Sequence, residues 1–357
     1  MEEKELIKST YKKEDVTLLL KDVTGKVKPL DTASREQFIQ SGRHYCEMLP
    51  IEYVPTAEYM EAYREALLKY GKSVADATGV LSKKIIENKG KKVVLVSLAR
   101  AGIPAGILLK HYIQKKYGVD VPHYGISIIR GRGIDKNAIN YILKNHDVKD
   151  LLFVDGWTGK GAILTELKKA VADFKGLSGE LAVLADPAGI TKMCGTYEDL
   201  LIPSSCLNST VSGLISRTFL RDDIIKKDDY HGAVFYGELK EKDLSYDFIN
   251  AIESHFDFNV VLKEEEFAFN DTGKDEVAEI AAHFEISDIN LVKPGIGEAT
   301  RVLLRRVPWK VLVKEGSEKD DKIAHLLKLA KEKDVEVISY PLRHYIACGL
   351  IRQLSDI

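Results

Sequence analysis

Two hydrophobic rhythms run along this chain. AEYMEAYREALLKYGKSVADATGVLSKKIIENK, residues 57–89, repeats apolar residues every three or four positions, which predicts a long amphipathic helix. The first ninety residues carry mostly that helical pattern. Short apolar runs bounded by turn residues come next. KKVVLVSLARAGIPAGILLKHYIQKKYG predicts a strand, a loop and a helix, and VPHYGISIIRGRG a second strand running into an arginine-bearing loop. DLLFVDGWTGKGAILTELKKAV repeats strand, loop and helix, and ELAVLADPAG is a strand ending in a carboxylate and a turn. Strands alternating with helices imply an α/β fold with a mostly parallel sheet and ligands at the strands' carboxyl ends. The polar stretch KEEEFAFNDTGKD marks a boundary, beyond which INLVKPG, WKVLVK and VEVISYP alternate with helical segments. The expected organisation is a large domain over residues 1–262, a linker over 263–274 and a smaller α/β/α domain over 275–357.

Composition adds little until charge is read by region. The 357 residues carry a formal net charge of −2. From Leu291 onward, however, 13 Lys and Arg face 9 Asp and Glu, so the C-terminal part is basic and the remainder acidic. Such an asymmetry points to an anionic partner for the basic part. The charged start MEEKELIKSTYKKED lacks the apolar centre of a signal peptide, and no apolar run is long enough for a bilayer. Cys46, Cys194, Cys206 and Cys348 are too scattered for a zinc site or a disulfide framework. A cytoplasmic protein without membrane contact and with no metal held directly by protein ligands is expected.

The stretch 151–171 asks the sharpest chemical question. Glycines between a strand and a helix let backbone N–H groups close around an anion, and the helix start adds positive partial charge. Gly156 and Gly161 have the separation of P-loop glycines, but Ala162 and Ile163 follow where Lys and Ser or Thr are required. A P-loop hydrolase is therefore rejected.

VDGWTGKGA instead resembles the 5-phosphate loop of phosphoribosyltransferases. VSLARAGIPAG resembles their pyrophosphate loop, with Arg100, Ala101 and Gly102 where Arg-Gly-Gly is usual, and the arginine-rich IIRGRGID lies between the two, in the family's order. With EYVPTAEY and LIPSSCLNSTVSGLISRT, the large domain is similar to the phosphoribosyltransferase-like StiP family. That family is associated with tellurium resistance and stress response; some members are labelled cysteine proteases, and they commonly end in a Pelota-type RNA-binding domain. The resemblance implies an enzyme that binds phosphoribosyl pyrophosphate with Mg²⁺ and transfers the phosphoribosyl group to an acceptor the sequence does not name. Arg100 with Ala101 and Gly102 would hold pyrophosphate, and Asp155 the ribose hydroxyls. Thr158, Gly159, Lys160 and Gly161 would grip the 5-phosphate, with Arg130 and Arg132 as a lid. The usual acidic pair is reduced here to Asp155 beside Gly156.

Two alternatives stay open beside this one. The first is an RNA-binding regulatory protein that senses phosphoribosyl pyrophosphate. The second is a cysteine peptidase using Cys206, although its segment holds hydroxyls and no histidine; His111, His123 and His231 are remote in sequence. The same segment, with Ser209, Thr210, Ser212 and Arg217, and Asp186 at its strand end, could line an acceptor pocket. In Pelota-like proteins a Gly-x-Asn-Glu-x-x-Lys pattern starts the helix that touches RNA. Gly295, Glu298 and Arg301 match it, with Gly297 for Asn and Arg for Lys. Arg301 and Arg305 share a helical face and Arg306 lies beside it, while Leu303, Leu304 and Val307 are expected to pack inward. A homodimer is left open.

Overall fold

Leu151–Val154 is apolar at every position because both faces of its strand are covered, the situation of a central parallel strand. A computed structural model describes residues 6–259, 266, 267 and 269–352; residues 263–265 and 268 of the expected linker lie outside them. The chain first forms β1 (Thr17–Leu18), β2 (Lys21–Asp22), α1 (Thr32–Gln40) and α2 (Ala57–Lys89). It continues with β3 (Val94–Ala99), α3 (Gly102–Tyr117), β4 (His123–Ile129), β5 (Gly133–Ile134) and α4 (Lys136–Leu143). Then come β6 (Leu151–Trp157), α5 (Ala162–Val171), β7 (Leu181–Ala185), β8 (Cys194–Thr196), β9 (Gly232–Ala233) and α6 (Ser245–Glu253). The second unit holds α7 (Gly273–His283), β10 (Val292–Pro294), α8 (Ile296–Arg305), β11 (Pro308–Lys314), α9 (Ala324–Glu332), β12 (Glu336–Tyr340) and β13 (Ala347–Ile351).

The large sheet runs β1-β4-β3-β6-β7-β8, parallel throughout, with β5 antiparallel on β4. Alternate residues of β6 enter different cores: Leu152 and Val154 meet α2, α3 and α6, while Leu151 and Phe153 meet α4 and α5. Gly102 opens α3 where a Cβ would stand 2.4 Å from the Val154 carbonyl oxygen, so only glycine lets this loop approach β6.

The second sheet runs β10-β13-β11-β12. Ile296, Leu303 and Leu304 on α8 belong to the same apolar cluster as Leu201, Ile202 and Leu207 of the first unit. Each such side chain, once buried, contributes roughly 1.5–3 kcal/mol, so the face of α8 is spent on holding the units together.

Three expectations change. Thr17–Leu18, within a region expected to be mostly helical, is an edge strand on β4. Ala347–Ile351, not foreseen as a strand, pairs with both β10 and β11 inside the second sheet. Val307 is 56% exposed, whereas Leu303 and Leu304 are buried as expected.

Candidate functional site

The second unit lies over the carboxyl ends of β6 and β7. Lys160 donates from Nζ to the carbonyls of Ile289 and Val292, the latter at 3.0 Å. Arg130 donates to Asn290 Oδ1 at 3.0 Å, and Tyr345 Oη donates to the Gly159 carbonyl at 2.9 Å. Between these contacts lies a cleft of about 320 Å³. The first unit lines it with Tyr45, Ala101, Arg130, Asp155, Trp157 and the 158–164 loop; the second adds Val292, Lys293, Pro294, Glu298 and Arg301.

The glycine loop is built as expected but its side chains are committed. Gly161 sits at φ +83°, the left-handed turn that starts α5, and no side chain caps that helix. Thr158 donates its hydroxyl to Asp186 rather than into the cleft. Burial, reinforced by Lys293 and Arg130, pulls the Lys160 ammonium down to about 8. Asp155 accepts from its neighbour Gly156 N at 2.8 Å, and burial pushes its carboxyl up to about 7.

Several expected site residues stand elsewhere. Arg100 is not in the cleft lining: it donates to Ile215 O at 3.1 Å and Asn208 Oδ1 at 3.0 Å, which satisfies the carbonyls of an interior loop. Arg132 turns away to Glu47 at 2.9 Å. Asp186 is buried and accepts from Ile190 N and Thr191 N, both at 2.8 Å, so it fixes a turn. Ser209 binds Glu52, Ser212 its own loop, and Arg217 the Tyr45 and Met48 carbonyls; Thr210 is buried beside them. These residues are engaged within the first unit, and none of them lines the cleft.

The arginine face expected to meet RNA is also largely used. Arg305 donates to the Cys206 carbonyl at 2.6 Å and to Asn208 Oδ1, and Arg301 pairs with Glu298 at 2.9 Å. Arg306 is exposed. Gly295, at φ +94°, brings the start of α8 onto Asp199 of the first unit, which accepts from Ile296 N at 2.9 Å and from Ile346 N at 2.8 Å.

Cys206 is 1% exposed, and burial pushes its thiol up to about 12 despite Arg305 and Arg301 nearby. His111 is held between Asp15 and Glu253, His123 by Ser97 and the Asp15 carbonyl, and His231 by Ser127, so none serves Cys206. The sequence reading passed over a different pair. His44 caps the short turn Tyr45–Glu47, and its Nδ1 lies 2.9 Å from Cys46 Sγ. Burial pushes this thiol up to about 11, and burial with Arg132 holds the imidazole below its usual value. The pair is therefore uncharged at neutral pH, thiol and imidazole. The signal was present as His-x-Cys, which a search for widely separated Cys and His partners misses. Among the described residues no group of three or more His, Cys, Asp or Glu side chains is set for a metal.

This is an α/β protein of two docked units with an uncharged thiol–imidazole pair and a cationic cleft at their junction. Residues 9–253 match the family described as tellurite-like stress resistance cysteine protease StiP, and residues 271–353 match the PELOTA RNA binding domain. A curated relative, "Cysteine protease StiP" of Acinetobacter baylyi, is 38% identical over 364 residues, spanning 97% of this chain and 94% of its own. The chain belongs to the StiP family. Among solved structures, a hypothetical protein from Neisseria gonorrhoeae with bound ppGpp aligns at 13% identity, covering 32% of this chain and 65% of its own. A hypoxanthine-guanine phosphoribosyltransferase from Bacillus anthracis aligns at 18% identity, covering 40% of this chain and 75% of its own. Both have a TM-score of 0.23, at which neither bears on fold or ligand.

The family match overturns phosphoribosyl transfer, the first expectation from the loops, in favour of cysteine protease chemistry. The geometry agrees in part, since Arg100 is outside the cleft lining, the Thr158 hydroxyl is given to Asp186 and Lys160 is bound to carbonyls of the second unit. Among the described residues no helix is long and apolar enough to cross a membrane.

Proposed function

We propose that this chain is a cysteine peptidase whose reacting pair is Cys46 and His44. The observation that carries the reading is the 2.9 Å contact between Cys46 Sγ and His44 Nδ1, in a chain of the StiP family. Among the described residues neither the Cys206 nor the Cys348 thiol makes such a contact with a histidine. A neutral thiol beside a neutral imidazole can react when the proton leaves as the sulfur attacks. Sγ bonds to the scissile carbonyl carbon while its proton passes to His44 Nδ1. The imidazolium then gives that proton to the leaving amine as the C–N bond breaks. Water, deprotonated by the same imidazole, releases the acid from the thioester.

Cys46 is 1% exposed, so substrate reaches it only when the His44–Glu47 turn shifts. That turn is pinned from outside by Arg132 on Glu47 and by Tyr45 Oη, which accepts from Arg130 N at 3.0 Å. The four cysteines are free thiols, which suits a reducing cytoplasm. RNA contact by the second unit is a second reading favoured by the PELOTA match, with Arg305 withdrawn from it because its guanidinium is bonded to the first unit.

The test is hydrolysis of an unfolded protein substrate. Cys46→Ser and His44→Gln should each abolish cleavage, and Cys206→Ser should leave it. Undiminished cleavage by Cys46→Ser would end this assignment.

A further inference from the structure

The cleft beside this pair holds charge that its own side chains do not neutralise. Arg130, Lys160, Lys293 and Arg301 line it against two carboxyls, Asp155 and Glu298. Glu298 is engaged by Arg301, and burial, which works to raise its pKa, is outweighed by Arg301 and Lys293. Lys160 and Arg130 are bound to neutral oxygens, which satisfy their N–H groups without cancelling their charge. Lys293 is half-buried, and among the described residues its ammonium has no hydrogen bond or ion pair. Burial, with Arg306, Arg130 and Arg301 adding to it and Glu298 opposing, disfavours the charged form. Partly desolvated cations without a counter-charge are costly, and an arriving anion relieves that cost.

The cleft is also joined to the Cys46 turn. Tyr45 lines the cleft and is the residue before Cys46, and its hydroxyl holds the backbone of Arg130, another lining residue. Trp157, Ile163 and Pro294 give the rest of the wall an apolar character, and a volume of about 320 Å³ lies within the range of ligand pockets.

We propose that this cleft is the specificity pocket for an acidic side chain, Asp or Glu, of the polypeptide substrate, with Lys293 from the second unit and Arg130 from the first as the residues that recognise it. The proposal rests on the peptidase reading for its substrate class. It assigns the second unit a place in substrate selection, since the first unit alone supplies only part of the cationic lining. The carboxylate enters between the units, its two oxygens accept from the ammonium and the guanidinium, and its aliphatic stem lies on the Trp157 side.

Binding and cleavage can be separated with Cys46→Ser protein in the full chain. The probe is a fluorescent decapeptide with a central Glu, compared with the same peptide carrying Gln. By anisotropy at low salt, the Glu peptide should bind about tenfold or more tightly than the Gln peptide, the scale of one charge-assisted contact. Lys293→Met and Arg130→Gln should each remove that preference. Arg130 is exposed, which keeps the test intact should Lys293→Met fail to fold. Lys149→Met, a surface change remote from the cleft, should keep it. Equal binding of the two peptides, or a preference indifferent to both cleft variants, overturns the pocket even where the wild type cleaves protein. A Glu preference lost in both variants supports the pocket, and absence of cleavage by wild type then counts against the peptidase reading alone.

Discussion

Asp199 joins the two units, and replacing it by Asn separates a pH-dependent effect from a pH-independent one. Its carboxylate accepts from Ile296 N through both oxygens, at 2.9 and 3.1 Å, and from Ile346 N at 2.8 Å. It therefore caps α8 and the approach to β13 from the other unit. Burial raises its pKa to about 6 from 3.8, against the lowering effect of those N–H bonds. A folded-state pKa above the unfolded value means the folded chain binds the proton more tightly between pH 4 and 6. Wild-type stability from this group thus falls as pH rises through that window and is flat above it. The shift of about 2 units corresponds to roughly 3 kcal/mol at 1.36 kcal/mol per unit. Asn cannot ionise, so the difference between Asp199→Asn and wild type should move in the variant's favour by about that amount from pH 4 to pH 7. At pH 4 the variant should be less stable by about 1–3 kcal/mol, because an amide nitrogen faces an N–H that had an oxygen acceptor. Urea unfolding at half-unit pH steps measures both quantities. A difference that is independent of pH, or one that moves toward the wild type on raising pH, would refute the protonation argument.

Two further outcomes follow from close packing and from a buried histidine. Gly102→Ala should destabilise the protein by about 1–3 kcal/mol or more, since its Cβ meets the Val154 carbonyl and one of the two must shift; an unchanged unfolding midpoint would contradict the packing. His111 is clamped by Asp15 at 2.7 Å and by Glu253; burial opposes its charge but the two carboxylates prevail, so its pKa is raised. That contribution is present below pH 6.5 and is lost as pH rises through the folded value. His111→Gln should cost more stability at pH 6 than at pH 8.5, and an equal cost at both would show the imidazole uncharged.

The elements that sequence pattern made legible are those that carry a long periodic or continuous apolar run. α2, β3, β4, β6 and β7 follow from periodicity and from apolar runs that only a strand covered on both faces tolerates. The Asp155–Gly161 loop was legible as a glycine turn opening a helix, and the structure builds that turn. What each side chain does there depends on the second unit. Lys160 reads as an anion ligand until Ile289 and Val292 present carbonyls to it, over a hundred residues away in sequence. The His44–Cys46 pair is local, and went unread because a thiol two residues from a histidine has no periodic signature.

α8 shows the same limit at its clearest. Its pattern correctly separates Leu303 and Leu304 from the arginines, and an amphipathic helix with a basic face reads as a surface for an anionic partner. The partner is set by what lies opposite. Asn208 Oδ1 accepts from Arg100 and from Arg305, and the Cys206 carbonyl takes a second bond from Arg305. The amide oxygen of half-buried Asn208 thus joins a cation from each unit, and burial with Arg301 lowers the Arg305 pKa to about 10. Two arginines sharing one neutral acceptor is a costly arrangement that the surrounding apolar contacts of Ile296, Leu303 and Leu304 must outweigh. The same helix leaves Arg301 at the mouth of the cleft with Glu298 as its counter-charge. α8 therefore serves the first unit on two faces, with apolar side chains in the joint core and Arg301 on the cleft. Of the basic face that suggested RNA, Arg305 is in this fold part of the joint between the two units, while Arg306 stays exposed.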